Sequence, residues 1–371
     1  MASIPGGQYS FFAAGQAVNV VTTADGTNLP PPIGGEFNLE VVTSPQGTSY
    51  SLPLGYQGVA LLSDQGHALN MLTGDYAVWA NGHGPDTIQA GSGNDTIFGL
   101  TGHDLITGGS GPDVIYGGRH DTIQGGTGPD MIYGGAGHEL ITGGIGPDVI
   151  YGGSGRETID GGAGHDLITG GSGPDVIYGG RHDTIQGGTG PDTIHGGAGP
   201  ELITGGIGHD VIYGGSGRET IDGGAGHDLI TGGSGPDVIY GGRHDTIQGG
   251  AGPDTIYGGA GHELITGGSG NDLIVGGSGH ETIDGGAGNN MIQVGSGHTL
   301  IQDNGVTGHD TVVGFDTAHG DKIGFEGENK SSIDNIVATA NENGGNTTIS
   351  LPDGSTMTLV GITHIDHTFF H

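Results

Sequence analysis

The hydrophobic positions of this chain recur every nine residues. From Asp86 to Ile292 a single isoleucine, flanked by one residue on each side, alternates with six small or polar residues in the pattern GGxGx[DE]xIx. We call each repeat a rung. Period-two geometry predicts that the last three residues form a short strand with its isoleucine inward and both neighbours outward. The glycines allow the other six residues to turn tightly. Two rungs then make one coil, and the pattern predicts a parallel solenoid with a thin isoleucine core.

The nine-residue repeats are themselves grouped into a longer repeat. Residues Thr107–Ile168, Thr169–Ile230 and Thr231–Ile292 are close copies with a 62-residue period. Each copy holds six nonamers and one octamer; the octamers are Gly117–Gln124, Gly179–Gln186 and Gly241–Gln248. Seven rungs is an odd number, and successive strands of such a solenoid alternate between two faces. Equivalent residues of neighbouring copies are therefore predicted to lie on opposite faces.

The flanking regions lack this regularity and divide the chain into three parts. Residues 1–57 are predicted to form an N-terminal β region, with Pro30-Pro31-Pro32 as a stiff linker and Phe11-Phe12 as an apolar contact point. Residues 58–302 form the solenoid, of which 58–85 are degenerate opening rungs. Residues 303–371 are predicted to form a C-terminal β cap, and no segment shows helical periodicity of useful length. The fold class is all-β, a parallel β-roll solenoid with small β caps at both ends.

Composition and charge limit the classes of molecule that this chain is expected to bind. The 371 residues include 89 glycines and only seven Lys or Arg, and the formal net charge is −34. Nucleic acids and anionic membranes need basic patches, so a cation is the natural partner. No apolar stretch approaches the length of a membrane span. Residues 1–7 lack the basic and apolar run of a secretory signal, which predicts either retention or export that does not read an N-terminal signal.

The sixth position of the repeat carries the candidate chemistry, because it is Asp or Glu in 23 consecutive rungs. Alternate rungs share an edge of the solenoid. The first carboxylate row comprises Asp86, Asp104, Asp121, Glu139, Glu157, Asp175, Asp192, Asp210, Asp228, Asp245, Glu263 and Glu281. The second carboxylate row comprises Asp95, Asp113, Asp130, Asp148, Asp166, Asp183, Glu201, Glu219, Asp237, Asp254 and Asp272. Stacked carboxylates about 5 Å apart repel by roughly 0.8 kcal/mol per pair even in water.

This repulsion predicts bound cations. Calcium suits carboxylates combined with turn carbonyls and tolerates irregular geometry better than magnesium does. One ion between each adjacent pair of acids gives about 20 Ca²⁺ sites.

The repeat resembles the calcium-binding nonapeptide repeats of RTX (hemolysin-type) proteins. The resemblance extends to Gly308–Asp316, Gly320–Phe325 and Asp353–Gly361. It implies a parallel β-roll, the sixth-position acids as calcium ligands, and a type I secretion signal within residues 303–371. It also implies export unfolded and folding in calcium outside the cell. The chain departs from the family pattern at its Pro or His fifth positions, its six Glu rungs, its three octamers, and at Asn290 and Thr299, which replace the acid.

Two further sets of side chains are open to more than one interpretation. Fifth-position histidines stack along an edge and either bind zinc or copper, act as a pH switch, or are solvated polar residues; they are His103, His120, His138, His209, His227, His244, His262 and His280. Ninth-position tyrosines form either stabilising cross-strand stacks or an interaction surface; they are Tyr116, Tyr133, Tyr151, Tyr178, Tyr213, Tyr240 and Tyr257.

The sequence argues against an enzyme. His138-Glu139 and its counterparts begin like a zinc-protease motif, but the second histidine is missing, and no G-x-S-x-G occurs. We therefore expect an extracellular or cell-surface protein that folds on calcium and assembles with itself in a filament, surface layer or biofilm matrix. The alternatives are an adhesin that binds a surface or a carbohydrate such as cell-surface polysaccharide, and a soluble calcium-buffering protein.

Overall fold

The chain is described by a computed structural model that covers residues 8–13, 16–23, 34, 37–42, 49–51, 56–62, 66–71 and 73–371. The linker predicted at Pro30–Pro32 and the end of the strand predicted at Ser49–Leu54 lie outside the described residues, as do the side chains of Phe11 and Phe12. The chain divides into two compact units, Met1–Thr184 and Ile185–His371. We call them the N-terminal and the C-terminal unit.

The strands of the N-terminal unit are β1 Gln8–Ala13, β2 Gln16–Thr23, β3 Phe37–Val42, β4 Ser49–Ser51, β5 Gly58–Leu61, β6 Ala68–Asn70, β7 Ala77–Ala80, β8 Thr87–Ser92, β9 Thr96–Phe98, β10 Leu105–Ser110, β11 Val114–Gly118, β12 Thr122–Thr127, β13 Met131–Gly137, β14 Leu140–Ile145, β15 Val149–Gly155, β16 Thr158–Ala163, β17 Leu167–Ser172 and β18 Val176–Gly180. β1 and β2 pair antiparallel. From β4 onward each strand pairs in parallel with the strand two places later, so odd and even strands form two sheets. This is a parallel β-solenoid, as predicted.

The division between the units falls within β19 Thr184–Thr189. The C-terminal unit continues with β20 Thr193–Ala198, β21 Leu202–Ile207, β22 Val211–Ser216, β23 Thr220–Ala225, β24 Leu229–Ser234, β25 Val238–Gly242, β26 Thr246–Ala251, β27 Thr255–Gly261, β28 Leu264–Ser269, β29 Leu273–Asp284, β30 Met291–Gln293, β31 Ser296–Asp303, β32 His309–Val313 and β33 Lys322–Phe325. It has the same parallel pairing. Its cap comprises α1 Lys330–Thr339, β34 Asn341–Asn343, β35 Asn346–Ser350, β36 Thr356–Leu359 and a 3-10 turn at His367–Phe369.

The core is the predicted line of isoleucines. Ile88, Ile141 and Ile230 are fully buried, and the isoleucine of each rung between Ile88 and Ile292 is at most 1% exposed. The residues on either side of it point outward, in the burial pattern of β14 and β24. Each coil therefore contributes two isoleucines to a narrow interior that neighbouring coils cover.

The strands are longer than the three residues predicted, because they continue through the two glycines that follow. In β10 and β12, for example, Gly109 pairs with Gly126 and Ser110 with Thr127. Glycine permits this approach, since a Cβ on Gly126 would lie 2.1 Å from the Gly109 carbonyl oxygen. The first residues of the predicted turn thus belong to the strand, and the bend that remains is shorter than predicted.

Replacing Gly144 by alanine is expected to destabilise the solenoid strongly. Gly144 has a φ of +123°, and its Cβ would meet the Gly126 carbonyl oxygen at 2.1 Å, so both strain and a backbone clash arise. We expect a loss of about 2–4 kcal/mol, as for other severe backbone effects, in thermal unfolding with calcium present. Ile145→Ala is the matched control in the same turn, because Ile145 is 63% exposed. Equal melting temperatures for the two variants would contradict the expectation.

One element contradicts the sequence analysis, which found no helix. Helix α1 begins at a capping box, in which the Asn329 side chain accepts the Ser331 and Ser332 backbone N–H groups and Ser332 Oγ accepts the Asn329 N–H. Ile336 is its buried residue. The sequence pattern does not predict this helix, because its apolar positions are few and Ile336 alone among its residues is buried. No helix among the described residues is both long and apolar enough to cross a membrane.

Candidate metal centre

The sixth-position acids of each unit lie directly before the strands, with their side chains turned inward. Burial is nearly complete, at 0–3% exposure for every member of both carboxylate rows. The position just before each isoleucine strand, together with the small first glycine of the rung, turns the carboxylate into the interior. The structure thus stacks the predicted acids within each unit.

One oxygen of these carboxylates is used to join successive coils. In the second carboxylate row the Asp113 backbone N–H donates to Asp130 Oδ1 at 2.9 Å, and the Asp130 N–H donates to Asp148 Oδ1 at 2.8 Å. The C-terminal unit repeats the pattern between Asp237 and Asp254, at 2.9 Å. Glu139 is longer, so its Oε1 instead accepts the His120 backbone N–H at 2.8 Å. These bonds fix the side chains against one another.

The other oxygen has no hydrogen-bond partner. Among the described residues, the second oxygens of Asp104, Asp113, Asp130 and Asp148 are buried without a donor, and Glu219 has neither oxygen satisfied. A buried carboxylate without compensation costs several kcal/mol. Each of these atoms therefore requires a proton or a cation.

The unpartnered oxygens face a space that the first glycine of the rung leaves open. A Cβ on Gly143 would lie 2.5 Å from both Asp148 Oδ2 and the Gly161 carbonyl oxygen. A Cβ on Gly249 would lie 2.6 Å from Asp254 Oδ2 and 2.5 Å from the Gly267 carbonyl oxygen. Carboxylate and carbonyl oxygens therefore converge where glycine has no side chain, and this all-oxygen donor set fits calcium.

Burial also raises the pKa values of several of these carboxylates. Burial, with a smaller contribution from neighbouring acids, raises the pKa of Asp95, Asp104, Asp130 and Asp166 to about 7. The pKa of Asp113 rises to about 6 for the same main reason. Burial and then the adjacent Asp175 raise the pKa of Glu157 still further. Without a cation these carboxylates would thus be partly protonated at neutral pH and increasingly ionised above it.

The structure adds row members that the sequence analysis missed. Asp310 Oδ1 accepts the Asn290 backbone N–H at 3.1 Å, and Asp321 Oδ1 accepts the Thr299 N–H at 2.9 Å. They extend the rows beyond Asp272 and Glu281. Both precede an x-[IV]-x triplet, Thr311-Val312-Val313 and Lys322-Ile323-Gly324, which was the available signal.

Neutral donors interrupt the rows near their C-terminal ends. The Asn290 amide donates to Asp310 Oδ1 at 3.0 Å, and Thr299 Oγ1 donates to Glu281 Oε2 at 3.0 Å. At the N-terminal end the His67 backbone N–H donates to Asp86 Oδ1 at 2.7 Å. Hydrogen bonds thus reach one oxygen of each carboxylate where the acid repeat stops, while Asp86 Oδ2 and Glu281 Oε1 remain without a donor.

Replacing Asn290 by aspartate is expected to add one calcium site. The substitution exchanges a donating amide for a second buried oxygen beside Asp310, on the pattern of Asp254 and Asp272. Native mass spectrometry in calcium would count the bound ions. The control is Asn289→Asp, the same charge change at the adjacent exposed residue. An equal number of ions in both variants would contradict the expectation.

The other candidate residues lie outside these rows. Across the described part of the chain, no three His, Asp or Glu side chains gather into one cluster that could hold a metal by themselves. The histidines stack along the edges, as His103 does on His120 with ring centroids 5.1 Å apart. The tyrosines lie on the outer sheet faces and stack on one another, as Tyr116 does on Tyr133 at 4.8 Å.

The aromatic stack of the N-terminal unit is longer than predicted. Trp79 and Phe98 precede Tyr116, Tyr133 and Tyr151 in one continuous stack, with centroids 4.8–6.1 Å apart and planes within 10°. We call these five residues the aromatic row. The tyrosines then change sheets, because Tyr151 pairs with Thr169 while Tyr178 pairs with Asp160. In the C-terminal unit Tyr213 likewise pairs with Thr231, and Tyr240 with Asp222.

Comparison with known proteins agrees with the geometry. The profile of the family described as RTX calcium-binding nonapeptide repeat (4 copies) matches residues 82–115, 115–150, 151–181, 180–212, 198–230, 213–243, 241–274, 257–292 and 275–298. These stretches cover more than half of the 371 residues. No curated protein matches the chain. The repeated oxygen-lined spaces and the family match agree, and the chain belongs to the family of RTX calcium-binding nonapeptide-repeat proteins.

Proposed function

We propose that this protein is an extracellular structural component that folds around about 20 calcium ions and then associates with copies of itself. RTX repeat proteins are typically secreted. The ligands of the proposed sites are the second oxygens of the two carboxylate rows together with first-glycine carbonyls. The role requires no catalytic step.

The proposal of self-association rests on an uncharged aromatic face of the N-terminal unit. Outward residues of β7, β9, β11, β13, β15 and β17 are Ala77, Trp79, Thr96, Phe98, Val114, Tyr116, Met131, Tyr133, Val149, Tyr151, Leu167 and Thr169. None is charged, although the chain has a net charge of −34. A flat, charge-free sheet face can pack on another sheet at about 10 Å without bringing like charges together.

The orientation of the rings favours a protein partner over a sugar. Saccharides stack on the open faces of aromatic rings, but the rings of the aromatic row cover each other's faces, with Tyr116 and Tyr133 only 2° from parallel. Their edges, not their faces, meet solvent. This geometry supports self-association over the carbohydrate-binding alternative.

The change of sheet gives each unit two contact surfaces. The N-terminal unit carries Tyr151 on one sheet and Tyr178 on the other, and the C-terminal unit carries Tyr213 and Tyr240 in the same way. A unit with tyrosines on both sheets can contact a copy on each side. Association would then continue beyond a dimer.

Light scattering and electron microscopy in millimolar calcium test the proposal. We expect particles larger than a monomer, and we expect the triple variant Tyr116→Thr, Tyr133→Thr, Tyr151→Thr to reduce their mass. Threonine occupies the same register at Thr169, so the variant should fold. Gln89→Thr with Gln124→Thr is the control on the other sheet. A strictly monomeric wild-type protein in calcium would overturn the proposal.

We also propose that residues 303–371 direct type I export, as the resemblance of this region to RTX tails implies. Fusing these residues to a reporter in a Gram-negative host with a type I exporter would test it. Export that depends on the fused segment would support the proposal, and intracellular retention of the fusion would contradict it.

A further inference from the structure

The C-terminal unit carries a row of six histidines along one edge, of which all neighbouring pairs but the tilted His209 and His227 are stacked. They occupy the fifth positions of successive coils and form a row of His209, His227, His244, His262, His280 and His298. Neighbouring ring centroids are 4.6–5.3 Å apart. We call these residues the imidazole row. Calcium prefers oxygen ligands, so the nitrogen atoms of this row have no role in the calcium sites.

The row departs from the long repeat in a way that concentrates histidine on this edge. The first copy has His138 and Pro147, but 62 residues later the order is reversed, with Pro200 and His209. Because the copy has an odd number of rungs, a faithful repeat would have put histidine on the opposite edge. That edge carries Pro200, Arg218, Pro236, Pro253 and Asn271 instead. A position that merely tolerates any polar residue would not produce this sorting.

The end of the row lines an open cleft. His262, His280 and His298 border a cleft of about 530 Å³ together with His371 and Lys322. The ring centroids are 4.8 Å apart between His262 and His280 and 4.6 Å apart between His280 and His298. Lys322 Nζ donates to the Thr368 carbonyl oxygen, which holds the ammonium group.

The histidines of the imidazole row differ in the hydrogen bonds of their ring nitrogens. His244 Nδ1 accepts the His262 backbone N–H at 3.0 Å, and His209 Nδ1 accepts the His227 N–H at 3.3 Å. A neutral ring that accepts at Nδ1 carries its proton on Nε2, where it blocks a metal. Among the described residues, the ring nitrogens of His262, His280 and His298 accept no such bond, and outside the cleft the same holds for His227. Every imidazole of the cleft therefore keeps a ring nitrogen available to a metal, whereas two of the three outside it do not.

We propose that the cleft end of the imidazole row binds a borderline transition-metal dication, such as Zn²⁺, through the nitrogens of adjacent rings. Two Zn–N bonds of about 2.0–2.1 Å allow the two nitrogens to lie at most about 4 Å apart, and closer in a tetrahedral site, so adjacent rings must tilt toward each other to share one ion. No three ligands converge on one point among the described residues, so water completes the coordination. Imidazole selects such metals, while carboxylate and carbonyl oxygens select calcium. Glu263 and Glu281 of the first carboxylate row also line the cleft, so the two classes of site adjoin there and differ in their donor atoms.

Zinc calorimetry in saturating calcium tests the proposal on the full chain. The triple variant His262→Asn, His280→Asn, His298→Asn is expected to weaken zinc binding at least tenfold. The control triple His209→Asn, His227→Asn, His244→Asn lies in the same row outside the cleft and should change it less than threefold. Asparagine suits both, because Asn271 already accepts the Asn289 backbone N–H at 2.9 Å at the equivalent position. No zinc heat for the wild type, or equal loss in both triples, would overturn the proposal.

Copper spectroscopy gives a readout that needs no variant. The electron paramagnetic resonance spectrum of one equivalent of Cu²⁺ on the calcium-loaded wild-type protein should show splitting from two or more imidazole nitrogens. A spectrum with oxygen ligands alone would contradict the proposal. Neither measurement depends on self-association, so the two proposals can fail separately.

Discussion

Removing calcium at pH 7 is expected to unfold both solenoid units. The carboxylates of the two rows are buried, and the second oxygens of residues such as Asp113 and Asp148 have no donor. Each uncompensated buried ion costs several kcal/mol, while an entire domain is stable by only about 5–15 kcal/mol. A few unpaired carboxylates therefore outweigh the stability of the isoleucine core. Far-UV circular dichroism should lose most of its β signal in chelator and regain it when calcium returns.

The controls separate specific binding from general screening of charge. Magnesium at the same concentration should restore less structure, because it demands near-octahedral geometry that a fixed carbonyl and carboxylate set does not supply. Asp148→Asn should raise the calcium concentration at the folding midpoint, whereas Asp160→Asn, the same change at an exposed position of the solenoid, should leave it unchanged. A native spectrum that persists in chelator would contradict the expectation.

Lowering the pH is expected to restore part of the folded structure when calcium is absent. In the folded state burial raises the pKa of Asp95, Asp104 and Asp166 to about 7, above the ordinary value of 3.8 for aspartate. The folded chain then binds more protons than the unfolded chain between about pH 4 and pH 7, so stability without calcium falls as pH rises through this window. We expect calcium-free protein to gain β signal when the pH is lowered from 7.5 to 5.

The calcium-loaded protein should show the opposite trend. Protons compete with calcium for the same oxygens, so its melting temperature should fall over the same pH range. Sedimentation at pH 5 would exclude aggregation as the source of the β signal. An unchanged spectrum of the calcium-free protein between pH 7.5 and pH 5 would show that the buried carboxylates do not control folding.

Much of the fold could be predicted because one side chain per rung decides it. The isoleucine near the end of each rung is buried in only one orientation of the strand, and the flanking residues must then face outward. Helix α1 could not be predicted in the same way. It depends on the local cap at Asn329 and on a single buried residue, Ile336, neither of which produces a periodic signal.

The candidate site was predictable in its residues but not in its geometry. The spacing of Asp113, Asp130 and Asp148 already indicated one row, since they recur at a fixed place in the repeat. Which oxygen is free depends on the bond from each backbone N–H to the acid of the next coil, as from Asp113 to Asp130. The roles of Asn290 and Asp310 likewise depend on residues 20 positions apart, which only coiling brings together.

The sequence by itself determined the β-roll, its isoleucine core, the two carboxylate rows and the need for a cation, because a strict nine-residue period repeats the same local choice in every rung. Only the tertiary structure decided which carboxylate oxygens are free, how the aromatic rings face, and which histidines share a cleft. These properties depend on contacts between coils, where a backbone donor, a missing glycine Cβ or a stacked ring belongs to a residue one full turn away. The period predicts that such neighbours meet, and the packing of the coils determines how their atoms are oriented.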